Sequence, residues 1–203
     1  MIRIVDYGLG NILAFQNVYK RLNIEAAIAR RPEDLRGATR LILPGVGAFD
    51  HAMELLDASG LRQAVDELVL GKRVPVLGIC VGMQILAQSS EEGSKRGLGW
   101  IDGRVRGFKS LGRDDLLLPH MGWNDVRPRT ATRLFDGLQA DARFYFLHSF
   151  FFECSRQEDV AAVSSYGIDF SCAVNAGNIF GVQFHPEKSH HFGTQLLKNF
   201  AEL

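Results

Sequence analysis

Gly78-Ile79-Cys80-Val81-Gly82 joins an apolar run over residues 74–79 to a helical pattern that starts at Val81. A cysteine in a G-x-C-x-G turn between strand and helix is the thiol counterpart of the nucleophile elbow that presents serine in α/β-hydrolases. The turn cramps the backbone at the nucleophile, so the residues two before and two after it must be small. It also sets the sulfur at a helix N-terminus, where unpaired N–H groups and the helix dipole favour thiolate. The Val81 N–H then points where an oxyanion donor is needed. The competing reading is a buried structural cysteine at a strand end.

A thiol nucleophile needs a base, and six histidines compete for the role. His185 ends an apolar run over residues 179–184 and precedes Pro186, which stops strand pairing. Glu187, two residues on, is near enough to fix the imidazole's tautomer and orientation, which is the logic of a triad. His190 and His191 read as surface residues at a helix start, and His51 as part of a polar helix face. Cys154 and Cys172 lack the elbow context and read as small buried apolar groups. The turn Pro44-Gly45-Val46-Gly47-Ala48-Phe49 could aim backbone N–H groups into the same crevice, with Gly47 as the second oxyanion donor. The alternative is a plain strand-to-helix turn. Asp6-Tyr7-Gly8-Leu9-Gly10-Asn11-Ile12 resembles the start of a dinucleotide fingerprint, but Leu13 stands where the third glycine should fall. Its bulk opposes the close helix–strand approach that the fingerprint needs.

The elements that must position these residues alternate in the first half. Short strands are expected at residues 3–6, 26–29, 40–43 and 74–79. Helices are expected at 12–21 with Asn11 as cap, between 48 and 71 with a break near Ser59-Gly60, and from 81 to about 89. This alternation predicts an α/β fold with a doubly wound, mostly parallel open sheet and helices on both faces. In the second half, short runs at 104–108, 124–127, 143–152, 160–164, 172–175 and 179–184 are separated by turn residues. They predict an antiparallel extension, closed by a helix at 190–203.

The chain has 203 residues, with 23 basic side chains balancing 23 acidic ones, and 46% of it is hydrophobic. It reads as one domain over residues 1–203. Zero formal net charge argues against a general nucleic-acid or anionic-membrane binder. No apolar run reaches the ~18 residues of a membrane helix, and the first residues enter a strand instead of a signal peptide. Three cysteines without an export signal suggest free thiols and a reducing cytoplasm.

Gly78-Ile79-Cys80-Val81-Gly82-Met83-Gln84, with His185-Pro186-Glu187 over a hundred residues later, resembles the class I, triad-type glutamine amidotransferases, whose fold is flavodoxin-like. The segments Asp6 to Asn11, Pro44 to Phe49, Gly97 to Trp100, Pro119 to Asn124 and His185 to Ser189 narrow the resemblance to the glutaminase subunits of imidazole glycerol phosphate synthase. It spans the chain nearly end to end. It implies hydrolysis of L-glutamine to glutamate and ammonia by Cys80, His185 and Glu187 through a glutamyl thioester, with no cofactor and no metal. Ammonia would pass to a cyclase subunit, HisF, in a heterodimer that serves histidine biosynthesis. Carried over from the family, Gln84 and Glu92 would sit by the amide and amino ends of glutamine, and the backbone of Ser149 and Phe150 by its carboxylate. The family more often has tyrosine where Phe150-Phe151 stands, and leucine where Val81 stands; backbone contacts survive both changes. Asn11, His120, Trp123 and Lys188 resemble the family's docking surface and ammonia exit, with core packing beside Met121 as the alternative for Trp123. Rival readings are another class I glutaminase, such as one for pyridoxal phosphate synthesis, a cysteine peptidase or γ-glutamyl hydrolase, and a non-catalytic binding module.

Overall fold

The computed structural model describes residues 1–112, 115–129, 132–138 and 141–203. In chain order the elements begin with β1 (Ile2–Val5), α1 (Ile12–Arg21), β2 (Ala26–Ala29), β3 (Arg40–Gly45), α2 (Phe49–Ala58) and α3 (Arg62–Asp66). They continue with β4 (Val76–Cys80), α4 (Val81–Gln84), β5 (Ser89–Ser90), β6 (Gly103–Gly107), β7 (His120–Asp125) and β8 (Arg127–Pro128). The last are β9 (Arg143–His148), β10 (Phe150–Cys154), β11 (Val160–Tyr166), β12 (Ile168–Ala176), β13 (Ile179–Val182) and α5 (His190–Glu202). Strands run β2-β1-β3-β4-β13-β12-β10-β6-β5 across the main sheet; β11 pairs with β12 and β8, and β7 and β9 form a separate ribbon.

The order β2-β1-β3-β4-β13 is all parallel, and β12, β10 and β6 extend it antiparallel. Every residue of β4 is buried, as a central parallel strand covered on both faces requires. Helices α1 and α5 pack together, tied by the Tyr19 hydroxyl donating to Leu197 O at 3.2 Å, while α2 packs on α4. Phe15, Phe49, Phe144, Phe146, Phe184 and Phe200 fill the core. No helix among the described residues is long and apolar enough to cross a membrane.

Register places the chemistry. Gly45 of β3 lies opposite Cys80, and Val182 of β13 lies opposite Ile79. Because these strands are parallel, the turn after β3, the elbow after β4 and the segment after β13 all leave at one sheet edge, where open α/β sheets bind ligands.

Three expectations need correction. The helix after Cys80 is one turn long and stops at Gln84. Residues 97–101 take the carbonyls that would continue it: Leu98 N donates to Ile85 O at 2.8 Å, Gly99 N to Ala87 O at 3.0 Å and Ile101 N to Leu86 O at 3.1 Å. Asn11 occupies the first cap of α1, yet its side chain makes no capping bond. The run over 143–152 divides at Ser149, so that β9 joins the ribbon and β10 the main sheet. Helix boundaries elsewhere fall where the pattern predicts, including the break at Ser59.

Candidate active site

Cys80 adopts φ 55°, ψ −115°, the cramped backbone of an elbow. Its flanking glycines are required by close backbone approach. A Cβ on Gly78 would lie 2.5 Å from Gly82 O, and one on Gly82 would drive into Leu43 O. With α4 reduced to a single turn, the dipole contributes little; what remains is the fan of N–H groups at its start, Val81 first.

His185 follows β13 and is buried. Its Nδ1 lies 2.9 Å from Glu187 Oε1, and its ring lines the same cleft as Cys80. The Glu187 side chain is only 3% exposed, so the pair is shielded from water. Burial works against a charged ring, but Cys80 and Glu187, which both favour the charged form, overcome it and raise His185 to about 9. The backbone of His185 is fixed as tightly as its ring. His185 N donates to Tyr145 O at 2.8 Å, Ser189 Oγ donates to His185 O at 2.6 Å, and Tyr145 N donates to Ser189 Oγ at 3.0 Å.

These groups open into a cleft of about 310 Å³ lined by Val46, Gly47, Cys80, Val81, Gln84, Glu92, Pro119, Leu147, His148, Ser149, Phe150, His185 and Lys188. The cleft therefore gathers two of the three triad candidates, Cys80 and His185, with both oxyanion candidates and all four glutamine-contact candidates; Glu187 does not line it and bonds His185 at 2.9 Å. Gly47 has φ 92°, a conformation that favours glycine. Glu92 is anchored by Phe49 N, which donates to its Oε2 at 2.8 Å at the start of α2. Gln84 is buried, and its Nε2 donates to Phe150 O at 3.2 Å and to Gln183 Oε1 at 3.0 Å.

The docking candidates divide. Lys188 lies at the cleft mouth with Nζ 5.7 Å from the centroid of the Tyr145 ring, and Asn11 is exposed at the start of α1. Trp123 is 39% exposed and stacks at 5.1 Å on His190, with Met121 beside it at 66%, so it is not a core residue. His120 is instead buried: it is stacked on Tyr166 at 4.1 Å and bonded to His148, and so is not presented to a partner. The reason is register, since β7 pairs His120 with His148 across the ribbon and turns both rings inward.

The structure adds residues that sequence reasoning did not single out. Tyr7 is buried beside Cys80, its hydroxyl donating to Pro44 O at 2.7 Å; burial first, and the charge of Cys80 second, push its pKa well above the usual range. Gln183 presents its Nε2 to Cys80 Sγ at 3.8 Å. Its place two residues before His185, on the same side of an extended segment, was the available signal. Cys154 and Cys172 are buried free thiols, and His51, His190 and His191 are exposed. Among the described residues no group of three or more His, Cys, Asp or Glu could hold a metal ion.

The family model described as "Glutamine amidotransferase class-I" matches residues 4–203. The imidazole glycerol phosphate synthase subunit HisH of Bdellovibrio bacteriovorus is 61% identical, that of Leptospira borgpetersenii 52% and subunit HisH 2 of Pseudomonas aeruginosa 47%, each over the full length of both chains. Among solved structures, a glutamine amidotransferase superposes with TM-score 0.76 at 23% identity, covering 99% of this chain and 97% of that one. PurLQS from Thermotoga maritima gives TM-score 0.74 at 16% identity with the same coverage. At those identities the likeness is one of fold.

Proposed function

We propose that Cys80 of this chain, which belongs to the class-I glutamine amidotransferase family and within it to the HisH subunits of imidazole glycerol phosphate synthase, is the nucleophile of its glutaminase reaction. The thiolate attacks the side-chain amide carbon of glutamine, and the carbonyl oxygen becomes an oxyanion held by the N–H groups of Val81 and Gly47. His185 gives its proton to the departing nitrogen, and ammonia leaves a glutamyl thioester. His185 then takes a proton from water, whose oxygen attacks the thioester carbon. The C–S bond breaks with its electron pair on sulfur, releasing glutamate. Glu187 orients the imidazole and stabilises its charged form through both steps. Gln84 and Glu92 flank the substrate's amide and amino ends, and the backbone of Ser149 and Phe150 faces its carboxylate.

The observation that carries this reading is the His185 ring, bonded at 2.9 Å to the buried Glu187 carboxylate and sharing one cleft with Cys80, whose sulfur favours the charged ring. We read residues 1–203 as one such domain. Its partner is the HisF cyclase subunit, because ammonia released into water near neutral pH is protonated and stops being a nucleophile. The docking face is the exposed apolar surface at the cleft mouth, with Val46, Met121, Trp123 and Leu147 around Lys188. Three free thiols fit a reducing cytoplasm.

Cys80→Ala is expected to abolish ammonia release from glutamine while leaving the circular dichroism spectrum and cyclase binding intact. Added ammonium salts should still feed product formation in that complex. Ammonia release at the parent rate would remove Cys80 as nucleophile, and failure of ammonium rescue would contradict a role confined to ammonia supply. Trp123→Ala should weaken cyclase binding about 30-fold, the effect of an aromatic anchor worth about 2 kcal/mol, with the isolated fold unchanged.

A further inference from the structure

Gln183 is fully buried one residue beyond β13, its backbone N–H donating to Cys172 O at 2.8 Å. Alternate residues of an extended segment face the same way, so Gln183 and His185 both meet Cys80. Which end of the Gln183 amide points at the sulfur follows from a single acceptor. Phe150 O can only accept, so the Gln84 atom 3.2 Å from it is the NH₂ group. The same NH₂ lies 3.0 Å from Gln183, whose facing atom must then be oxygen. The NH₂ of Gln183 is left toward Cys80 Sγ at 3.8 Å.

The acceptor is itself held from the other side. Phe150 O lies 2.7 Å from His148 Nδ1, which therefore carries the ring proton. His148 Nε2 then accepts from His120 Nδ1 at 2.9 Å, and His120 Nε2 accepts from Asn124 Nδ2 at 3.2 Å. Two arms of donors thus converge on one carbonyl oxygen, and one of them ends at the nucleophile.

We propose that Gln183 is a further catalytic residue, donating its side-chain N–H to the Cys80 sulfur, and that Gln84 is the positioning residue that keeps the Gln183 amide in that orientation. The inference rests on the reading of Cys80 as nucleophile. A thiolate is a charged acceptor, whereas the sulfur of a thioester is neutral. The Gln183 bond is therefore weaker in the acyl-enzyme and recovers its strength as the C–S bond breaks and the electron pair returns to sulfur. The titratable groups that share the cleft with Cys80 are Glu92, His148, His185 and Lys188, with Tyr7 buried beside it; Gln183 adds a donor that does not titrate.

The test is the pH dependence of iodoacetamide alkylation, quantified on the Cys80 peptide by mass spectrometry in the full chain without partner. Gln183→Met keeps the shape and removes the donor, and should move the midpoint up by about one pH unit. Gln183→Glu should move it further, and Gln84→Met in the same direction by less; kcat should fall more than KM changes. An unshifted midpoint in Gln183→Met overturns the donor role. Cys80→Ala run alongside separates the two failures: ammonia release by that variant defeats the nucleophile assignment, whereas an inactive Cys80→Ala with an unshifted Gln183→Met defeats only the donor. Should the Gln183 variants not fold, the side-chain amide resonance of Gln183 in the unaltered chain serves instead. It should titrate together with Cys80, and constancy across that range would overturn the proposal.

Discussion

His185 and His148 both lie buried on the wall of one cleft, and their protons are held in opposite senses. His185 is raised to about 9, whereas His148 is lowered to about 3 and its neighbour His120 to about 4. Desolvation pulls all three down. For His148 the Phe150 carbonyl pulls back, but His120 and His185 repel a second positive charge, and burial prevails. For His185 the buried Glu187 and the Cys80 sulfur reverse the outcome. A carbonyl fixes which nitrogen is protonated; only a charged acceptor at hydrogen-bond distance keeps a buried ring cationic. The segment after β13 thus favours a charged ring, and the β7–β9 ribbon a neutral one.

Glu187→Gln cuts deepest into that contrast. It removes the charge and keeps the shape, so the His185 pKa should fall toward the range of its neighbours. Turnover should drop by about 10²–10⁴-fold with KM for glutamine nearly unchanged. Steady-state ammonia release decides it, and a rise in KM alone would make Glu187 a binding residue instead.

A smaller effect separates the two regions by stability. Rings lowered in the folded state bind protons only on unfolding, so the contribution of His120 and His148 is complete above pH 6.5. It is lost on acidification toward pH 4, by up to about 1.4 kcal/mol per pH unit for each ring. The raised His185 has the opposite sign: its contribution is complete below pH 6.5 and is lost as pH climbs through about 9. Urea unfolding across pH should show both limbs. His148→Asn should flatten the acid limb and Glu187→Gln the alkaline one, and the reverse assignment would refute the contrast.

The smallest effect carries no stability change. At pH 7 nitrogen NMR should find His120 and His148 as neutral rings protonated on Nδ1, and His185 protonated on both nitrogens. A proton on His148 Nε2 would mean that the Phe150 carbonyl does not set the direction of the network.

The parallel half and the meeting of Cys80, His185 and Glu187 were legible because their signals are local. An elbow needs small residues at fixed offsets, which Gly78 and Gly82 supply, and a His-Pro pair after an apolar run marks a strand end. The one-turn length of α4 was not legible, because the competing hydrogen bonds come from residues 97–101. Nor was the burial of His120, which depends on a cross-ribbon register that the turn residues do not specify. Gln183 was half legible: its place two residues before His185 puts both on one side of the segment, but its partner emerges only when the fold brings β4 alongside β13.

The bridge between Tyr145 and His185 sets a mechanical condition on the reaction. The sulfur rides on the parallel sheet, while the main chain carrying the imidazole is sewn to the ribbon, so the reacting pair straddles a seam between two blocks. The gap between sulfur and imidazole is therefore set by two supports at once, the pairing of β13 with β4 and the bridge to β9.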